Sequence, residues 1–260
     1  MRELFDEVYG QGGFDPEEAV RKSMRGPRRK RFYTRAGFAE AGDGFAITLD
    51  DKMVRTPSRQ SLTVPARAIA EAVVAEWEAQ QDFINPMTMP LTRLANSVID
   101  AVGDNAQAVA DDIGKYFGTD LLFYRAGHPE PLVAREAEAW DPILFWAADN
   151  FGAHFILAEG IIHVAQPEAA LAAARATLPR DPWTLAALHL VTTITGSALL
   201  AVALLRGHLD ADQVWAAAHV DEDWNIEHWG IDEEVAVRRA AKLVDYRAAA
   251  SVLKALVPVG

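Results

Sequence analysis

The sequence contains no cysteine, which excludes disulfides, thiolate metal sites and cysteine nucleophiles and leaves the compartment open. Positive charge is scarce: 25 Lys and Arg stand against 37 Asp and Glu, a formal net charge of −12, which argues against nucleic acid as the main partner. No G-x-x-x-x-G-K-S/T phosphate loop occurs, and GQGG at 10–13 lacks the strand–glycine–helix setting of a dinucleotide site. There is no G-x-S-x-G elbow, since TGSA at 195–198 lies inside an apolar helical pattern, and no H-E-x-x-H. The seven histidines are scattered, so each reads as a surface or satisfied core residue. The acid-rich start, MRELFDEVYGQGGFDPEE, lacks the apolar core of a secretory signal and the acid-poor character of an organelle presequence. A bacterial cytoplasm is the expected location.

What is present suits a soluble globular protein with a sizeable core: 260 residues, half of them hydrophobic. WTLAALHLVTTITGSALLAVALL, residues 183–205, is uncharged over 23 residues and long enough to cross a bilayer. It also carries His189, five hydroxyl residues and the pair Gly196-Ser197. No second such run follows, so the expectation is a buried helix bent at Gly196, without membrane insertion. Residues 21–35 hold eight basic residues and no acid and read as a solvated linker, with a phosphate or nucleic-acid contact as the alternative.

From Phe32 to Pro65, short β-favouring runs alternate with turn signals at Gly42-Asp43-Gly44 and Pro57-Ser58, predicting a meander of three or four strands. After Pro65 the period becomes helical: Ile69, Val73 and Trp77 recur every four residues. Helical patterns then cover 90–101, 104–117, 130–150, 167–178, 182–206, 210–229 and 232–255, interrupted by β-like runs at 121–126 and 154–160. The fold class is α+β. A β-rich N-terminal domain is expected over 1–85, and a larger helical domain over 86–260.

The densest chemistry lies in VDEDWNIEHWGIDEE, residues 220–234, with seven carboxylates, two tryptophans and a histidine. On one helix starting near Asp210, Trp215, Glu222, Ile226 and Trp229 share a narrow stripe. Asp223 and Glu227 lie on another side, and Asp232 can cap the next helix. Glu227 and His228 are adjacent and point about 100° apart, a poor geometry for one metal; paired Glu-x-x-His motifs are absent. No metal or cofactor is expected. A carboxylate set among tryptophans needs a cationic partner, from its own chain or another protein. Aromatics mixed with charge are what docking surfaces use. The rival reading is a metal- or carboxylate-dependent hydrolase using Asp223, Glu227 and His228.

Several blocks in fixed order carry a resemblance: RFYTRAGF, DDKMVRTPSRQSLTVP, AEWEAQQDFINPMTMPLTRLANSVID, TDLLFYRA, WDPILFW, LVTTITGSALLAVALLRG and AAHVDEDWNIEHWGIDEEVAVRR. Together they resemble the ATP synthase assembly chaperone family that binds the alpha subunit of the catalytic head. The resemblance implies a non-catalytic chaperone, without cofactor, monomeric when free. It would cover the beta-facing surface of free alpha subunit, in the mitochondrial matrix for eukaryotic relatives. Glu222, Glu227, Trp229 and Asp232 are the candidate client contacts. Trp77 lies in a family block too, but its spacing favours a core role.

Overall fold

The computed structural model describes residues 29–256. Residues 21–28 of the basic stretch lie outside them. The class is α+β, with a small antiparallel sheet near the N-terminus and a mostly helical remainder. Contacts group the described residues into two compact units: those up to Ala106 together with those from Ala241, and Gln107–Ala240. The change from strands to helices thus falls inside the first unit, which the end of the last helix also joins.

In the first unit, β1 (Ala36–Ala41) and β2 (Gly44–Leu49) form a hairpin, β3 (Lys52–Met53) continues it, and β4 (Thr63–Val64) pairs with β2. The Gly42-Asp43 turn works because Gly42 takes a positive φ of 59°, which glycine adopts at little steric cost. The next turn uses Asp50 and Asp51, both left-handed (φ 47° and 63°), the conformation that a two-residue hairpin favours. The Asp50 carboxylate accepts the backbone N–H groups of Thr34 and Arg35. These bonds lower its pKa below the usual carboxylate value and tie the turn to the strand entering the sheet.

Helix α1 (Arg67–Glu78) covers β1 and β2, burying Ile69, Ala70 and Val73, as the four-residue spacing predicts. Helix α2 (Pro90–Ser97) passes through one wide π turn, Val98–Val102, into α3 (Gly103–Tyr116). Glu76 of α1 satisfies the start of α2 by accepting the N–H groups of Leu91 and Thr92 and the Thr92 hydroxyl.

The second unit holds α4 (Glu130–Phe151), α5 (Glu168–Arg175), α6 (Pro182–Thr195), α7 (Ala198–Leu205), α8 (Ala211–Ala218) and α9 (Val220–Trp229). Helix α10 (Glu233–Leu256) begins there and ends in the first unit. The two β-like runs become β5 (Tyr124–Arg125) and β6 (Ala158–Glu159), a short parallel pair. The uncharged run becomes two helices, α6 and α7, not one bent helix. Gly196 takes φ 71°, and the Ser197 hydroxyl caps α7 by accepting the Leu200 N–H. Every residue of α7 from Ala198 to Ala203 is buried. Among the described residues no helix is long and apolar enough to cross a membrane.

The expected single helix over 210–229 is also two. The His219 Nδ1 donates to the Trp215 carbonyl at 2.7 Å, replacing the backbone N–H that would continue α8. That N–H turns instead to Ala216 O. His219 then carries a non-helical φ of −121°, and α9 starts afresh.

Candidate protein-docking site

The break at His219 rearranges the stripe expected on a single helix. Trp215 stays on α8, half-buried, its ring stacked 3.9 Å from that of His219. Glu222 sits on the first turn of α9, partly exposed, with His219 Nε2 3.7 Å and Arg239 Nη1 3.9 Å away. Its cationic neighbour therefore comes from its own chain. Burial lowers the His219 pKa below the usual histidine value, with the Trp215 carbonyl and Glu222 opposing that shift. Arg239 also lies 6.0 Å over the Trp215 ring and donates to Asp223. One guanidinium on α10 thus gathers Trp215, Glu222 and Asp223.

Glu227 is held by Arg135 of α4 through two parallel bonds of 2.7 and 2.8 Å, the fork geometry that arginine offers a carboxylate. Arg135 depresses the Glu227 pKa and Glu227 raises that of Arg135. His228 donates from Nδ1 to the Trp224 carbonyl at 2.7 Å and stacks on the Trp224 ring. The three residues of the hydrolase reading, Asp223, Glu227 and His228, each face a different internal partner and do not converge. Among the described residues no group of three His, Asp or Glu could hold a metal ion.

Trp229 ends α9 with 84% of its surface exposed. Gly230, at φ 79°, turns the chain, and the Asp232 carboxylate caps α10 by accepting the Glu234 N–H at 2.9 Å. Ile231 and Val237 are exposed beside it in sequence, as are Asp232, Glu233 and Glu234. This segment combines uncovered apolar side chains with negative charge. Trp77, in the other unit, packs half-buried against a cluster of Tyr33, Ala36 and Leu49, with Val54, Val74 and Ile84 around it. The Tyr33 hydroxyl donates to its carbonyl at 2.7 Å.

Sequence reasoning missed Arg135 and Arg239. Arg135 is 92 residues from Glu227, and no local pattern announces such a pairing. A weak signal exists for Arg239, which follows the acidic run on an adjoining helical pattern.

The family profile described as "ATP12 chaperone protein" matches residues 30–148. A solved structure titled Atp12 from Paracoccus denitrificans shares 40% identity with a TM-score of 0.80, covering 88% of this chain and 99% of that one. An Agrobacterium tumefaciens structure, provisionally titled a chaperone, shares 46% identity with a TM-score of 0.85, covering 99% of this chain and 97% of its own. The mitochondrial protein atp12 of Schizosaccharomyces pombe is 19% identical over 221 residues, spanning 80% of this chain and 76% of the relative. With two structural relatives at 40% and 46% identity spanning most of its length, the chain belongs to the ATP12 chaperone family.

Proposed function

We propose that this chain is an assembly chaperone for ATP synthase that binds free alpha subunit of the catalytic head and covers its beta-facing surface. A subunit awaiting its neighbours exposes apolar interface, which otherwise drives self-association. The observation that carries the docking site is Trp229, 84% exposed at the end of α9. Tryptophan is among the residues most enriched at binding hot spots, and here it is followed by exposed Ile231 and the acids Asp232 and Glu233. The fitting partner surface is an apolar recess rimmed by lysine or arginine. Glu222 and Glu227 belong to the charged surroundings of that face, oriented by Arg239 and Arg135. Trp77 supports the first unit from within. The role is binding and release without catalysis.

The test is co-expression of the tagged chain with ATP synthase alpha and beta subunits, followed by affinity capture. Retention of alpha alone supports the reading. Retention of beta alone, or of neither, overturns it.

A further inference from the structure

Helix α4 buries a carboxyl group that no docking role uses. Glu136 is only 1% exposed and occupies the inward stripe of α4 with Trp140, Ile143 and Ala147. Its Oε2 accepts the Ala126 N–H at 2.8 Å. Its carboxyl faces that of Asp221, in the first turn of α9, which is packed against α4. The Asp221 Oδ1 is buried and has no hydrogen-bond donor.

Two carboxylates cannot hydrogen-bond to each other unless a proton lies between them, and two such charges out of water repel strongly. The charged groups nearby relieve this only in part. Arg125, on β5, commits its guanidinium to Asp141 at 2.7 Å and to the Leu122 carbonyl at 3.0 Å. On α9, Asp223 turns to Arg239, Glu227 to Arg135, and Glu222 towards His219 and Arg239. His228 turns to the Trp224 carbonyl. Of the other helices packed on α4, α7 carries no charge, Glu168 and Arg175 of α5 pair with one another, and α8, whose Ala217 carbonyl accepts the Trp140 indole N–H, carries only the exposed Asp212.

We propose that Glu136 and Asp221 form a proton-sharing latch, which clamps α9 onto α4 while one proton is held and loosens it when that proton leaves. Helix α9 carries Glu227 and Trp229, so the latch sets how firmly the docking face is presented. Burial first, and then the bond to Asp221, push the Glu136 pKa up to about 7, against the Ala126 N–H and Arg125, which lower it. A folded-state value above the unfolded one means that the closed form holds the extra proton. Its advantage is complete below the usual glutamate pKa of about 4.3 and is lost as pH rises to about 7, levelling off beyond.

The experiment uses the free chain, so its outcome is independent of the client. Amide hydrogen exchange of α9, corrected for intrinsic rates, is followed from pH 5 to 8 in the wild type and in Glu136→Gln. The glutamine can accept from Ala126 and donate to Asp221 at any pH. Opening of α9 is expected to rise in the wild type on the order of 100-fold across that range and to stay level in the variant. If Glu136→Gln does not fold, Asp221→Asn supplies the same comparison, its amide donating to Glu136. Equal pH dependence in wild type and variant overturns the latch.

Discussion

Arg135 grips Glu227 across the two helices α4 and α9 with paired bonds of 2.7 and 2.8 Å. The acidic stretch is therefore less available to a partner than its composition implies, because one of its carboxylates is already matched within the chain. Glu227→Gln and Arg135→Gln should lower the melting midpoint by similar small amounts, and the double variant by no more than either alone. Residues acting as one pair show such non-additivity. The pair's contribution should fade in acid, since Arg135 depresses the Glu227 pKa and stability from a depressed carboxylate is lost as it protonates. Thermal melts of the three variants at neutral and acidic pH check this. Fully additive losses would mean that the two side chains act independently.

Trp77 offers a cleaner separation of fold from recognition. Its ring meets Tyr33 edge-on at a centroid distance of 5.6 Å and contacts the cluster around Leu49. The indole N–H makes no hydrogen bond. Trp77→Phe should therefore keep most of the packing, whereas Trp77→Ala should cost about 2–4 kcal/mol, somewhat less than a fully buried tryptophan. Denaturant melts measure both. A Trp77→Ala variant that is as stable as wild type yet fails to retain alpha subunit would make Trp77 a contact residue instead.

How much was legible in advance depended on distance along the chain. Ile69 and Val73 announced the buried face of α1 because helix period is local. A helix start is local in the same way: Asp181 precedes Pro182 at the first turn of α6, and its carboxylate accepts the Trp183 N–H. Gly196 marked a bend but not a full stop, which needed the Ser197 cap as well. The break at His219 had no glycine or proline to signal it; it depends on a side chain capturing a carbonyl one turn back. Glu136 carried a readable hint, lying four residues before Trp140 on the same helical stripe. Its partner Asp221 looked like one more acid in a charged run, since burial by another helix leaves no trace in local pattern.

Asp120 should prove one of the most sensitive polar positions of the second unit. It is fully buried and accepts the N–H groups of Leu122, at the start of the short 3-10 turn Leu121–Phe123, and of Leu199, at the start of α7. Asp120→Ala removes acceptors from two helix starts and should cost about 2–4 kcal/mol. Burial raises its pKa to about 6, against the hydrogen bonds from Ser197, Leu199 and Leu122 that lower it. A raised folded-state value makes its contribution largest below the usual aspartate pKa of about 3.9 and smaller as pH climbs through 6. The stability gap between wild type and Asp120→Ala should accordingly narrow from pH 4 to pH 7. A gap that widens over that range would show that the carboxylate form is the one the site prefers.

Trp229 completes the set, because its exposure separates binding from stability most sharply. With 84% of its surface in solvent, the side chain contributes little to the folded core, so Trp229→Ser should leave the melting midpoint close to that of the wild type. A tryptophan anchoring an interface commonly costs about 2 kcal/mol or more when truncated, or at least a 30-fold loss of affinity. Losing an apolar anchor should act through faster dissociation, whereas neutralising exposed Asp232 and Glu233 should slow association at low salt and matter little at high salt. Binding kinetics with isolated alpha subunit at two salt concentrations, beside a melt for each variant, distinguish these effects. Unchanged dissociation for Trp229→Ser would place the client contact away from the end of α9, even if alpha subunit remains the client.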